Sequence, residues 1–443
     1  MKMVKSLLLG TAAGLVALTG AQAADLPVKA KPVQYVKICS LYGAGFYYMP
    51  GTDTCIKIGG FVRAEMNLNA NGSFFPYQSV NFDDRSHNLE NTRVRFGISV
   101  DARSQTEYGT LRSYLNMTEQ VTDDGGGSGV GTWANRGFIQ LAGFTAGLSD
   151  SFFDFDTMPY TNQTNIIGST LSGGGTPLFA YTAQFGNGFS ASVSAEDTTA
   201  RRTDLLGTDY AGREWPDFVA NLRVDQAWGS AQIMGAVHQV RGLYDGAATD
   251  AHPEDKVGWA AGAGLKLNVP MLGAKDYAIA QFTYAEGALN YIGNHLSTES
   301  LREGYPVVTS TAFGPVYDAT FSAGSDLDLT KGWSVTAGYE HHWVPNWKTS
   351  IYGAYAAINY SDTSSARIAT TNGVAGSADA DWQIWQVGSR TTWTPVQNLD
   401  LSVEVMYNNV NTAFDGGTSA TLGTFEDKSF WAGMFRVQRN FYP

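Results

Sequence analysis

The segment Phe430–Pro443, FWAGMFRVQRNFYP, alternates with a period of two. Trp431, Gly433, Phe435, Val437 and Phe441 fall on one side, and Ala432, Met434, Arg436, Gln438 and Asn440 on the other. Successive side chains of a strand point to opposite faces, so this is a strand lying between an apolar and a polar medium. Two architectures supply such a boundary. In a soluble β protein the apolar face is the buried core, whereas in a membrane barrel it faces lipid and the polar face lines water.

The pattern recurs from Ile56 onward. Ile56, Ile58, Val62, Ala64 and Met66 oppose Lys57, Arg63, Glu65 and Asn67 in a first strand over 56–67. Thr92, Val94, Phe96, Ile98 and Val100 oppose Asn91, Arg93, Arg95, Ser99 and Asp101 in a second. The short turn RSQTE leads to a third, YGTLRSYLNMTE, and the Gly-rich VTDDGGGSGVGTW (121–133) reads as a long loop. A split at Ala142 and Gly143 keeps short and long connections alternating, with strands at Ala134–Leu141 and Phe144–Phe152 before the connection DFDTMPYTNQTNIIGSTLSGGGTP (154–177). LFAYTAQFG and FSASVSAED flank Asn187-Gly188, a two-residue hairpin signal. Further strands are expected over 217–228, 231–242, 257–268, 276–287, 332–343, 347–360, 381–394, 399–409 and 429–442. The tally is about sixteen, with both termini on the short-turn side, as in an outer-membrane barrel. VYDATFSAGSDLDL, within 288–331, could form a further strand pair and raise the count to eighteen.

Composition agrees with an all-β chain: 50 Gly, 22 Tyr, 23 Phe and 11 Trp accompany only 16% charged residues. The net charge of −12 speaks against a nucleic-acid partner, which calls for a basic stripe. A basic MKMVK, an apolar SLLLGTAAGLVALTG and a terminal AQA make residues 1–23 a cleaved secretory signal peptide. After it no apolar run has the roughly 20 residues a membrane helix needs, which leaves a closed barrel as the spanning solution. The mean hydropathy of −0.17 is compatible with one, because lipid-facing and lumen-facing residues alternate.

Residues 24–55 form a Lys/Pro-rich linker and a loop between Cys39 and Cys55, and residues 56–443 form the barrel. In an oxidising periplasm these two cysteines read as a disulfide, worth about 3 kcal/mol in the chain-entropy model. A metal site is disfavoured, since no His or further Cys lies near the pair.

A secreted β-sandwich is the competing architecture. It calls for shorter strands and an uncharged core, whereas many of these runs reach the roughly 9 to 11 residues of a membrane-spanning strand, with full charges on their polar faces. Trp228, Trp333, Trp343, Trp347, Trp393, Tyr407, Phe441 and Tyr442 sit near strand ends, where interfacial girdles belong.

CSLYGAGFYYMPGTDTCIKIGGFVRAE, SQTEYGTLRSY, FIQLAGFTAGLSDSFFDF and the ending FRVQRNFYP resemble the general porins of alphaproteobacteria over nearly the whole mature chain. The resemblance implies a water-filled, trimeric barrel in the outer membrane that passes small hydrophilic solutes. Its surroundings would be outer-membrane lipid and lipopolysaccharide. Trp431, Phe435, Val437, Phe441 and Tyr442 resemble the C-terminal signal read by the barrel-assembly machinery, with Pro443 departing from a terminal aromatic.

In that family the loop after the fifth strand folds into the lumen. Here the resemblance puts Asp150, Asp154 and Asp156 at the constriction, facing Arg63, Arg93, Arg95, Arg112 and Arg136 across a transverse field. Pairing of these arginines with wall carboxylates such as Glu65 and Asp101 is the other reading, and the preferred ion sign stays open.

No cofactor is expected. His341 and His342 are neighbours on one strand and point to opposite faces, which argues against a shared metal. SGGGTP and DDGGGSGVG lack the ending and context of a phosphate loop. A barrel-borne hydrolase or an adhesin is the remaining alternative, and a substrate-specific channel would need lumenal aromatics, for which Phe61, Tyr114 and Met434 are scattered candidates. An energy-coupled receptor would need a plug domain larger than the segment before Ile56.

Overall fold

The computed structural model describes residues 37–69, 89–123, 128–162, 167–169, 175–243, 252–293, 314–322, 325–420 and 423–441. The expected leader, most of the linker and Tyr442 lie outside these. Sixteen strands form one closed antiparallel ring. The first eight are β1 (Cys55–Leu68), β2 (Glu90–Thr106), β3 (Gly109–Asp123), β4 (Ser128–Leu141), β5 (Phe144–Ser149), β6 (Thr176–Gly186), β7 (Phe189–Glu196) and β8 (Asp217–Gln226). The second eight are β9 (Gly229–Val240), β10 (Lys256–Asn268), β11 (Tyr277–Glu286), β12 (Lys331–Val344), β13 (Trp347–Asn359), β14 (Trp382–Val396), β15 (Leu399–Asn411) and β16 (Lys428–Phe441). Each pairs with its neighbour in sequence, and β16 pairs back onto β1 from Gly60↔Phe441 to Leu68↔Gly433.

Tight turns join the strands at the periplasmic end. Ala142 and Gly143 have φ of 50° and 89°, and Asn187 and Gly188 of 50° and 78°. This left-handed pair is what a two-residue hairpin of matching twist requires. At the outer end the third, fourth, fifth and sixth connections span 150–175, 197–216, 241–255 and 287–330.

Polarity is inverted relative to a soluble protein. On β1 and β2 the exposed side chains are Val62 (51%), Phe96 (45%) and Ile98 (50%), while Glu65 (2%) and Arg93 (3%) are buried. The alternation therefore faces hydrocarbon outward and a polar interior inward. Trp431, Phe435 and Phe441 are exposed on the outside of β16, and Val437 shares their face. Outward aromatics touch from strand to strand near the outer end: Trp259 with Tyr284, Trp333 with Tyr355, Trp385 with Tyr407, and Tyr407 with Trp431. Trp347 stacks on Trp393 near the periplasmic end.

The structure departs from the pattern reading in three places. The Gly-rich stretch at 121–133 is mostly strand, because its backbone joins the ladder through Val121↔Val130 and Thr122↔Gly129, leaving 124–127 as the connection. The fifth strand ends at Ser149, where the chain turns inward. Within 288–331, Tyr317–Thr320 and Asp328–Leu329 do pair, but with Asp204–Leu206 in a separate three-stranded sheet, so the barrel has sixteen strands.

The outer connections share an apolar core over part of the mouth. Leu289, Tyr291 and Ile292 pack with Ile368 of helix α1 (Asp362–Thr371) and with Phe414 and Phe425, all buried. Ser361 caps α1, its hydroxyl accepting from the Ser364 N–H at 3.1 Å.

Phe435→Arg on the lipid face of β16 is expected to destabilise the barrel by about 2–4 kcal/mol, and Phe435→Leu by less than about 1.5 kcal/mol. Urea unfolding in detergent, followed by the heat-modifiable gel shift, measures both.

Candidate functional site

The third outer connection, which follows β5, enters the lumen and is fastened to inward-facing residues across the wall. The Phe152 N–H donates to Glu196 Oε1 of β7 at 2.9 Å, and the Phe155 and Asp156 N–H groups donate to Gln281 Oε1 of β11 at 3.1 and 2.9 Å. Farther along, Asn162 reaches β15 and β16. Its N–H donates to Glu404 Oε2 at 2.8 Å, and Arg436 Nη1 donates to its Oδ1 at 2.8 Å. Two ring contacts need glycine on the wall: a Cβ at Gly264 would lie 2.2 Å from Phe155, and one at Gly338 2.4 Å from Tyr160.

Charges behind the loop are buried and shared. Arg390 pairs with Glu340 at 2.7 Å and donates to the Pro159 carbonyl at 3.0 Å. Arg436 binds Glu65, which also takes Arg93 at 2.7 Å. Buried ions of this kind persist only when paired and hydrogen-bonded.

The acids expected at the constriction separate into two groups. Asp150 is half-exposed and pairs with Arg136. Asp154 and Asp156, in contrast, are withdrawn from water. Asp154 pairs at 3.1 Å with Arg201, both side chains being essentially inaccessible. Asp156 accepts from the Tyr160 hydroxyl at 2.7 Å, the Thr336 hydroxyl at 2.9 Å and the Met158 N–H at 2.8 Å. Both fasten the loop, because its inward turn presses them against the wall. Arg201, from the fourth outer connection, was not visible as a partner in the sequence: it lies 47 residues away, with no local pattern to connect it.

The expected basic residues lie on the opposite wall. Arg63 donates through Nε to Gln438 at 2.7 Å and lies 3.8 Å from Glu65. Arg95, its cross-strand partner, donates to Gln120 at 2.9 Å. Arg112 binds Asp101 at 3.0 Å and Gln140 at 3.1 Å. Arg93 alone of this set is buried in the wall. Its contact with Glu65 is the pairing that the sequence left open.

Cys39 and Cys55 are bonded, and their loop folds against lumen-facing residues at the periplasmic end. The Arg103 guanidinium lies 4.9 Å from the Phe46 ring, and Lys57 Nζ donates to the Ala44 carbonyl at 3.3 Å. Sequence reading also missed Phe138. A bulge at Asn135 shifts the phase of β4, bringing Arg136, Phe138 and Gln140 to the inside. Among the described residues no cluster of His, Cys, Asp or Glu could hold a metal ion.

A closed barrel, apolar outside and charged inside, with a loop fastened across its lumen, defines an outer-membrane diffusion channel. The model of the Porin subfamily matches residues 25–434, and the chain belongs to that family. Porin Omp2b of Brucella abortus is 30% identical over 327 residues, covering 65% of this chain and 86% of Omp2b. The Brucella neotomae Omp2b is 34% identical over 248 residues, covering 53% of this chain and 65% of its own. The outer-membrane channel DcaP of Acinetobacter baumannii shares the fold with a TM-score of 0.65 at 18% identity, covering 89% of this chain and 99% of its own.

Arg201→Met, which leaves Asp154 buried without its counter-ion, is expected to cost about 3–5 kcal/mol, most of it recovered in Arg201→Met/Asp154→Leu. Denaturation midpoints give the energies. Single-channel records of the first variant should show added closures as the loop loosens.

Proposed function

We propose that the channel is a homotrimer that passes small hydrophilic solutes with a preference for anions. The observation that carries the ion preference is the asymmetry of the lumen. Around the inserted loop Asp156, Arg201, Glu340 and Arg390 are buried and Arg223, beside Phe155, is paired with Asp225, whereas the side chains of Arg63, Arg103, Arg112 and Arg136 are 18%, 27%, 27% and 20% exposed on the other wall. Two acids stand among them: Asp101 is shared by Arg103 and Arg112, and the half-exposed Asp150 pairs with Arg136. Fixed basic groups beside a narrow aqueous path raise the local anion concentration.

The outer wall supports the trimer. The contiguous outward Trp and Tyr rings run from β10 to β16 and are missing from β1, β2 and β3, as they are from β5 and from β7 to β9. Glu119 shares the outward face with Met117 and Val121, a position that lipid disfavours and a neighbouring subunit can cover. The girdle suits lipid and lipopolysaccharide headgroups, and β16 suits recognition by the assembly machinery. Residues 1–23 would direct export, and the loop between Cys39 and Cys55 would lie at the periplasmic rim.

Reconstituted in planar bilayers across a KCl gradient, the protein should conduct in steps of three with a reversal potential of the sign for chloride over potassium. Arg63→Gln/Arg95→Gln should roughly halve the permeability ratio. A potassium-selective reversal potential in the unaltered channel rejects the anion preference. Cysteines at Val94 and Met117 should cross-link between subunits if β2 and β3 form the contact.

A further inference from the structure

Two adjacent rows of lumen-facing residues near the periplasmic end hold a cluster in which Arg103 and Arg112 of the basic wall meet two aromatic rings. Asp101, Tyr114 and Phe138 are cross-strand partners in one row, and Arg103, Arg112 and Gln140 in the next. Asp101 is divided between two guanidiniums. Arg103 donates to it through Nε and Nη2 at 3.0 and 2.7 Å, and Arg112 through Nε and Nη2 at 3.1 and 3.0 Å. Tyr114 and Phe138 stack with centroids 5.3 Å apart and an interplanar angle of 29°, and the Arg112 guanidinium lies 5.1 and 5.3 Å from the two rings.

Three features of this cluster point to a ligand. A water-filled lumen gains nothing from apolar rings on its wall, yet both rings are only half-buried. Nη1 of Arg103 makes no hydrogen bond among the described residues, since Asp101 takes only Nε and Nη2. One carboxylate between two guanidiniums also leaves a positive surplus, and guanidinium geometry favours a carboxylate. We propose that this vestibule is a binding stage for small aromatic carboxylates leaving the pore. Arg103 and Arg112 take the carboxylate, and the ligand ring extends the Tyr114 and Phe138 stack. The inference rests on the diffusion-channel reading.

The test uses the full-length protein in planar bilayers at constant KCl, with sodium benzoate or sodium acetate added on the periplasmic side. Benzoate should interrupt the KCl current at a concentration about fivefold lower than acetate, the equivalent of one added ring contact. Phe138→Leu and Arg103→Gln should each bring the two probes to within about twofold. Equal potency of benzoate and acetate in the unaltered, conducting channel overturns the stage, whether or not either variant assembles. A selectivity for benzoate that survives in both variants, when these conduct, overturns the assignment of its residues. Inserted protein that conducts no KCl overturns the diffusion-channel reading itself.

Discussion

In hydrocarbon an unpaired N–H or C=O has no water to turn to, so a sheet that crosses a membrane must close on itself. The pairing of β16 with β1 meets that requirement, and much else follows from it. It brings Arg436 beside Glu65 across the seam, as register partners.

The seam does a second thing. Arg436 binds Glu65 of β1 and also donates to the Oδ1 and the carbonyl of Asn162, in the inserted loop. Closing the barrel and fixing the loop therefore draw on one guanidinium. The loop is held near its start by Glu196 and Gln281, at Asn162 by β15 and β16, and at Ile167 by Gln386 of β14, so its fastenings lie on the wall from β7 round to β16. The passage is left to the arginine-bearing wall of β1 to β4. That wall carries the partly exposed guanidiniums of Arg63, Arg103, Arg112 and Arg136.

Much of the barrel was legible in the sequence, because a strand between lipid and water has a strict two-residue alternation and its turns carry Asn-Gly or Ala-Gly signals. Asn187-Gly188 and Ala142-Gly143 stand where local chemistry placed them. Legibility failed where non-local pairing overrode local preference. Glycines at 129 and 131 were recruited into β4 by the neighbouring β3, and one extra residue at Asn135 moved Phe138 to the inside. The candidate site was legible in residue type more than in role. Asp154 and Asp156 do sit on the inserted loop, but whether a carboxylate meets water or Arg201 depends on a contact between distant connections that leaves no periodic trace. Arg93 and Arg95 look alike in sequence two residues apart, and only the position of Glu65 separates them.

The shared core of the outer connections bears on how this surface can change over time. Leu289, Ile292, Ile368, Phe414 and Phe425 come from three different connections and belong to one buried apolar cluster, so none of these segments is an independent hairpin tip. A substitution favoured in one because it evades a phage or an antibody is screened by its packing against the other two. Antigenic drift is thereby channelled to solvent-facing positions of these connections, while their apolar residues evolve as those of a small soluble domain do, in compensating sets.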